Sequence, residues 1–293
     1  KGIYLHKDVG GIVDVADEEI LRIFQDLEPV AAIGNVGYTK NKIPEKRNAE
    51  PILVKPKVDS RYSVVLTMNG RILESEVLQA ELEDAYTFDT VNMTEVLGAL
   101  LHRCFEEQGV TFAAGRKLVD LLHGWGTFAF TALVHDGKET ALVALNDSRA
   151  FEPFCFGMVG EAFLASSESC SHRRLGGHPE REYAGAEMTI CSSRGVEIQR
   201  VRTETEMPDA FQAVYFGNIA SRYRGEEILR LRMGLGHGLA KMYGDTDADV
   251  GCEQGCLQLF VELLVDFAGA EQVGQIAIQQ FARARQPLLQ PLA

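Results

Sequence analysis

The residues best suited to carry chemistry are Asn69 and Gly70, which follow the apolar run of residues 64–68. A β-branched run that ends in Asn-Gly predicts a buried strand followed by a tight turn. In such a turn a side-chain amide lies beside an exposed backbone N–H, and two adjacent donors can stabilise the oxyanion of an acyl-transfer reaction. The alternative is a plain turn between a strand and a helix. The surrounding sequence is needed to choose between an oxyanion site and a plain turn.

Other groups of reactive side chains give weaker signals. Residues 245–249 are rich in aspartate, but such loops are typically solvated, so no metal site is predicted. We interpret Cys252 and Cys256 as packing residues. The serines of residues 166–169 lack a G-x-S-x-G elbow, which argues against a serine hydrolase. A solvated loop is predicted for His172, His178 and the Arg173-Arg174 pair, with a surface contact to an anion or a protein as the alternative.

Composition excludes several classes of protein. The 293 residues are 46% hydrophobic and carry a net charge of −13, which argues against a broad nucleic-acid or anionic-membrane surface. Length predicts one large domain or about two ordinary ones. No apolar run reaches the roughly 20 residues of a membrane span, and the first residues lack the apolar region of a signal peptide. The six cysteines form no C-x-x-C pair, so we expect a reducing compartment, either the cytoplasm or an organelle matrix such as that of mitochondria.

The elements that must position Asn69 and Gly70 change in character along the chain. Helices are predicted at residues 17–24, 74–82, 94–105 and 118–122, and a second buried strand at 30–38. Short antiparallel strands are predicted at residues 126–134, 141–146, 155–157, 162–166 and 187–191. Further along, a strand at 213–216 precedes helices at 226–242 and 257–268. This order predicts a layered α/β protein with packed sheets.

The collinear order of several motifs resembles the amidophosphoribosyltransferase family. The matching stretches are residues 7–15 (family K-x-x-G-L-V), 32–39 (A-I-G-H-V-R-Y-S/T), 48–51 (N-A-Q-P), 66–72 (L-A-H-N-G-N-L), 92–97 (S-D-T/S-E-I/V-L), 144–153 (F-R-D-P-x-G-I-R-P-L), 165–169 (A-S-E-S), 213–216 (V-Y-F-A) and 249–250. The resemblance covers residues 4–268, and its order makes it more specific than any single motif.

The resemblance implies a fold and a division into domains. The expected fold class is α/β, in the layered α+β sense. It begins with a four-layer αββα sandwich of the N-terminal-nucleophile-hydrolase type, which a truncated phosphoribosyltransferase-like α/β segment follows. Residues 1–205 are predicted to be a class II glutamine amidotransferase-like domain without its nucleophile segment, and residues 206–293 a remnant of a phosphoribosyltransferase-like domain. Lys1 matches a point about 50 positions into the family, so the family's opening segment is absent or lies outside this numbering.

The departures from the family concern its glutamine chemistry. The family's nucleophile is an N-terminal cysteine, whereas residue 1 is lysine here. Gly37 stands where the family has the arginine that holds the glutamine carboxylate, and glycine offers no charge for that purpose. Met93 stands where the family has the aspartate that helps to hold the amino group, and Asn35 replaces the family's histidine. We therefore expect no substrate binding at Asn35, Gly37 or Met93.

The predicted function follows from these losses. Asn69 and Gly70 would be a vestigial oxyanion site in a plugged or collapsed pocket, and no residue is predicted to be catalytic. We expect a catalytically inactive amidophosphoribosyltransferase-like protein with protein partners, serving as a structural or interaction subunit of a large complex. The alternative is a glutamine-dependent amidotransferase of purine biosynthesis whose catalytic cysteine segment lies outside this numbering. No cofactor, metal or nucleotide is expected, because the family's V-V-D-D-S-I-V-R-G-T-T phosphate loop has no counterpart after Gly269.

Overall fold

The computed structural model describes residues 3–37 and 45–243 of the chain. The α-helices in these ranges are α1 (Ile12–Val15), α2 (Glu18–Leu27), α3 (Ser75–Leu82), α4 (Met93–Gln108), α5 (Phe112–Leu121), α6 (Cys170–Arg174) and α7 (Ile228–Tyr243), with a 3₁₀ turn at Lys46–Asn48 and a π-helical turn at Gln212–Phe216. The strands are β1 (Ile52–Leu53), β2 (Lys55–Pro56), β3 (Ser63–Ile72), β4 (Tyr86–Thr87), β5 (Gly126–His135), β6 (Thr140–Asn146), β7 (Cys155–Val159), β8 (Ala162–Ser166), β9 (His178–Glu182), β10 (Glu187–Ser192), β11 (Gly195–Arg200), β12 (Arg222–Tyr223) and β13 (Glu226–Glu227).

Two packed antiparallel sheets form the centre of the molecule. The larger sheet has the strand order β1-β3-β5-β6-β10-β11, and the smaller one has the order β8-β7-β9. Strands β3 and β5 pair over their full length, from Ser63↔His135 to Ile72↔Gly126. Helices α4 and α5 pack against each other, α4 contacts β3, and α6 contacts β7 and β9. The predicted layered α/β class is thereby confirmed.

The two faces of the larger sheet bury different side chains. The face toward α4 and α5 carries a large apolar core, whose fully buried members include Leu66, Leu97, Leu101, Phe105 and Phe130. The other face meets the smaller sheet through a second apolar cluster, which includes Ala129, Leu142, Phe156, Phe163 and Tyr183. Because side chains alternate along a strand, Leu66 and Met68 enter the first core while Thr67 and Asn69 face the second. This alternation decides which layer each residue of the candidate site occupies.

The turn predicted at Asn69 and Gly70 is wrong. Both residues lie inside β3, where Asn69 pairs with Ala129 and Gly70 with Phe128. Gly70 does adopt the positive φ that the sequence suggested, with φ at +125°. The strand nevertheless continues, because β5 supplies a pairing partner as far as Ile72. Long-range pairing thus overrides the local turn preference of Asn-Gly.

Other predictions also change. The stretch 213–216 is a π-helical turn rather than a strand, and the Arg232 guanidinium donates to its carbonyls at Ala213 and Tyr215. The predicted solvated loop is wrong for His172, which is 0% exposed within α6, and for His178, which begins β9. The strand predicted at 30–38 is reduced to an isolated bridge at residue 33. The helix predicted at 257–268 lies outside the described residues, as do residues 245–249, Cys252 and Cys256.

The remaining predicted helices and strands are found near their expected positions. Helix α2 begins at an Asp17 cap, whose Oδ1 accepts from the Ile20 N–H at 2.9 Å, as the sequence predicts. Helix α5 begins at Phe112, earlier than expected, where the Thr111 hydroxyl caps it. Within residues 3–37 and 45–243, none of the helices combines the length and apolar character that a membrane span requires.

Candidate functional site

The candidate site lies along the edge of β3 that β5 does not cover. Strand β1 pairs with β3 only at Val65 and Leu66. Beyond that point, within the described residues, no strand of the larger sheet pairs with this edge of β3. The backbone donors of residues 68–72 that point to this edge are therefore available to side chains and ligands. This is the stretch that contains both predicted oxyanion donors.

Backbone N–H groups alternate between the two edges of β3. The Leu73 N–H donates to the Trp125 carbonyl at 2.6 Å, just beyond the end of the β5 ladder. The N–H groups of Met68 and Ile72 instead donate to side chains on the open edge. By the same alternation the Gly70 N–H, which lies between them, points to the open edge. The backbone thus presents a short row of donors there.

Two side chains cap the donors on either side of Gly70. The Met68 N–H donates to Glu50 Oε2 at 2.9 Å, and the Ile72 N–H donates to Met93 Sδ at 3.1 Å. Met93 thus fills the position of the family's aspartate with a weak acceptor that carries no charge. At Gly70 itself a side chain is excluded, because a Cβ would lie 2.3 Å from the Thr127 carbonyl oxygen.

Glu50 is the centre of a partly buried hydrogen-bond network. Its Oε2 accepts from the Met68 N–H and, at 2.6 Å, from the Asn35 amide. Its Oε1 accepts from the Asn92 amide at 3.3 Å and from the Thr94 hydroxyl. Burial raises the pKa of the Glu50 carboxyl, and these donors act in the opposite direction. Glu50 therefore ties the segment around Asn35 and the start of α4 to the edge of β3.

The Asn69 side chain faces the layer between the sheets, where a carboxylate of the same chain engages it. The Asn69 amide donates to Glu152 Oε2 at 3.0 Å, and the Thr127 hydroxyl donates to Glu152 Oε1 at 3.1 Å. Burial raises the pKa of Glu152 to about 7; the Thr127 hydrogen bond lowers it, and the negative charges of Asp147 and Asp209 raise it. The donor that an oxyanion would need is thus already hydrogen-bonded to an acidic group.

Asp147 stabilises the loop that carries Glu152. Its carboxylate accepts from the N–H groups of Arg149 at 2.8 Å, Phe151 at 3.3 Å and Phe128 at 3.4 Å. Burial raises the pKa of Asp147, and these backbone donors lower it. Because three backbone groups surround this carboxylate, its role is to fix the loop after β6, and the loop in turn places Glu152 against Asn69.

The structure brings most of the predicted site positions to this edge. Asn35 reaches it through Glu50, and Met93 contacts Ile72 directly. Gly37 is exposed, and a Cβ there would meet no atom of the described residues within 4 Å. Among the described residues no group of three or more His, Cys, Asp or Glu side chains could hold a metal ion. Within the described part of the chain, the side chains that accept from the donor row are a carboxylate, Glu50, and an uncharged thioether, Met93.

Sequence reasoning missed both carboxylates of this site. Glu50 occupies the glutamine position of the family's N-A-Q-P, and Glu152 occupies the second arginine position of F-R-D-P-x-G-I-R-P-L. Each change could have been found by comparing the motifs letter by letter. A change from arginine to glutamate reverses the charge, so it is the stronger of the two signals. Which donors these carboxylates meet could not be inferred from the motifs, because the partners lie far away in sequence.

Comparisons with known proteins give a consistent result. Residues 45–171 match a family model described as a glutamine amidotransferase domain. The chain is 27% identical over 237 residues to the amidophosphoribosyltransferase of Archaeoglobus fulgidus, covering 80% of this chain and 49% of that protein. It is 27% identical over 281 residues to the amidophosphoribosyltransferase of Synechococcus elongatus, covering 92% of this chain and 52% of that protein. The chain therefore spans about half the length of these curated relatives.

Solved structures show the same likeness in three dimensions. One, described as the allosteric regulatory enzyme of purine biosynthesis, superposes with a TM-score of 0.58 at 24% identity, covering 71% of this chain and 42% of that one. The glutamine phosphoribosylpyrophosphate amidotransferase of Bacillus subtilis, complexed with ADP and GMP, also gives a TM-score of 0.58 at 24% identity, covering 74% of this chain and 44% of that one. This chain therefore shares the fold of these two solved structures, which agrees with the fold class that the sequence predicts.

Proposed function

We propose that this chain, an amidophosphoribosyltransferase-like protein, is catalytically inactive and acts as a structural or interaction subunit. The observation that carries the proposal is the hydrogen bond from the Asn69 amide to Glu152. An oxyanion donor works by meeting negative charge that develops during the reaction. Here a carboxylate of the chain occupies that donor, and when ionised it would repel a developing oxyanion.

Loss of the substrate clamps supports the same proposal. Gly37 carries no charge with which to hold a glutamine carboxylate, and Met93 offers a thioether where the amino group would need a carboxylate. Removing one partner of a buried charge pair costs about 2–5 kcal/mol of binding, or roughly a few hundredfold in affinity near the middle of that range.

An exposed aromatic surface supports the interaction role. Phe211, Val214, Tyr215 and Phe216 are 62%, 52%, 70% and 61% exposed on and beside the π-helical turn. Contiguous apolar surface of this kind marks sites of protein contact more often than free surface. The described cysteines are buried and free, which fits the proposed reducing compartment.

A glutaminase assay tests the proposed inactivity. The protein is incubated with glutamine, and glutamate release is measured beside an active amidotransferase as positive control. We expect release at the background rate. Release well above background that a cysteine alkylator abolishes would instead establish the alternative, a working amidotransferase.

The interaction role is tested by isolating the protein from native extract. We expect it to elute with a partner, and we expect the double variant Tyr215→Ser/Phe216→Ser to lose that partner. The matched control is the double variant Val58→Ser/Val91→Ser, because these side chains are 74% and 78% exposed and lie outside the aromatic surface. Elution of the wild-type protein as a free monomer or homo-oligomer would contradict the proposal.

A further inference from the structure

A second asparagine beside the candidate site has an unused donor. Asn146 is 0% exposed, and its Oδ1 accepts from the Glu187 N–H at 3.1 Å. Because the amide nitrogen could not accept that hydrogen bond, the orientation of the side chain is fixed. Its Nδ2 then has no hydrogen-bond partner among the residues that the structure describes. A buried amide without an acceptor is rare and costs free energy, so it points to a missing partner.

The sheet register places this donor beside the Asn69 amide. Asn69 and Asn146 both pair with Ala129, one from each neighbouring strand, so the two side chains share the face toward the smaller sheet. Their Cα atoms are separated by two strand spacings, about 9.5 Å. A carboxylate that accepts one hydrogen bond on each oxygen spans at most about 8 Å between two donor nitrogens. The small Ala129 side chain lies between the two amides.

A carboxylate of the chain, that of Glu152, already accepts from one of these two amides, Asn69. Glu152 Oε2 accepts from Asn69 at 3.0 Å, while its Oε1 accepts from Thr127 at 3.1 Å. Neither oxygen accepts from Asn146 Nδ2, which has no partner among the described residues. The Glu152 contact shows that the Asn69 amide accommodates a carboxylate in the geometry of this fold. It also identifies the chemical class of ligand that would satisfy the Asn146 donor.

We propose that Asn69 and Asn146 form a binding site for a small carboxylate, which enters by displacing the Glu152 side chain. The inference rests on the proposed function, because it assigns the Asn69 donor to anion binding rather than to catalysis. Asp147 does not compete for these donors, since it is held by the backbone N–H groups of Arg149 and Phe151. Glu152 acts as the internal occupant of the site when no ligand is bound.

Titration calorimetry of the whole chain with glutarate tests the proposal. We expect Glu152→Ala to bind glutarate about tenfold or more tightly than wild type, because the internal carboxylate is gone. Asn146→Leu should weaken binding about tenfold or more, because it removes the donor at similar volume. The matched control is Glu161→Ala, an exposed glutamate in the turn after β7, which should bind like wild type.

If Asn146→Leu does not fold, NMR of the wild-type protein can test the role of Asn146 directly. The side-chain amide NMR resonances of Asn146 and Asn69 should both shift on glutarate titration of the wild-type protein. No binding by either wild type or Glu152→Ala, or glutarate binding without a shift at Asn146, would overturn the proposal. Failure of the proposed function is detected separately, because glutamate release from glutamine would contradict the proposed inactivity whether or not glutarate binds.

Discussion

Two neighbouring residues of β3 donate to two partly buried carboxylates that have different surroundings. The Met68 N–H donates to Glu50 at the open edge, and the Asn69 amide donates to Glu152 between the sheets. Burial raises the pKa of both carboxyl groups. Glu50 receives donors from four residues, whereas Glu152 receives two and lies in the field of other negative charges. Glu50 therefore has more hydrogen-bond donors to offset desolvation than Glu152 has.

This difference indicates that Glu50 stabilises the fold, whereas Glu152 occupies a binding site. A carboxylate with several fixed donors stabilises what surrounds it, since each donor would otherwise lack a partner. A carboxylate with fewer donors and like charges nearby is held less firmly and is easier to displace. Packing and chemistry depend on different residues, so the fold around β3 can persist while its chemistry changes.

The largest effect should come from removing the well-compensated carboxylate. Glu50→Ala leaves the Met68 N–H, the Asn35 amide and the Thr94 hydroxyl without their acceptor, and we expect it to lower the free energy of unfolding by about 3–5 kcal/mol. Glu50→Gln keeps one acceptor oxygen and matches the residue of the family motif, so it should cost less than half as much. Denaturant unfolding measures both variants.

The comparison would fail if both variants at Glu50 cost less than about 1 kcal/mol, the usual effect of a surface change. Glu161→Ala serves as the control, because it removes an exposed glutamate that lies outside this network. Its expected effect is within about 0.5 kcal/mol of wild type.

Much of the fold can be predicted from the sequence, because it depends on local patterns. The apolar periodicity of α4 and the alternating strands β5 to β8 read directly from the chain, and the Asp17 cap was identified by residue type. The turn at Asn69 and Gly70 was wrong because its competitor, pairing with β5, is distant in sequence. Local preference cannot reveal which strand will extend the ladder.

The candidate site could be predicted only in part, for the same reason. The motifs located Asn35, Asn69, Gly70 and Met93, which the structure places around one strand edge. They did not reveal Glu152, whose contact with Asn69 joins residues 83 positions apart. They also gave no sign of the unpartnered Asn146 amide, because hydrogen-bond satisfaction is a property of the packed structure.

An intermediate effect is expected from Glu152, and it should depend on pH. Burial raises the pKa of folded Glu152 to about 7 from its ordinary value of 4.5. Its contribution to stability is fully present below the unfolded pKa and is lost as pH rises through the folded pKa. Glu152→Gln cannot titrate, so between pH 5 and pH 8 the wild type should lose about 2 kcal/mol relative to this variant.

The measurement is the difference in unfolding free energy between wild type and Glu152→Gln across that pH range. Glu161→Gln makes the same chemical change at an exposed position and should show a flat difference. A flat difference for Glu152→Gln as well would mean that its carboxyl titrates normally. In that case the contrast with Glu50 would be wrong.

The smallest effect should come from Met93, whose sulfur caps the last donor of the row. Met93→Leu conserves volume, so we expect it to lower the free energy of unfolding by less than about 1 kcal/mol. The Ile72 N–H would lose its 3.1 Å acceptor, and we expect its hydrogen exchange to accelerate. The Met68 N–H provides an internal control, because it keeps Glu50 as its acceptor and should exchange as in wild type. Equal acceleration at both amides would indicate that the whole edge opens as one unit. Glu50 and Met93 would then not protect their backbone donors independently, and the stabilising role assigned to Glu50 could not be separated from the stability of the whole edge.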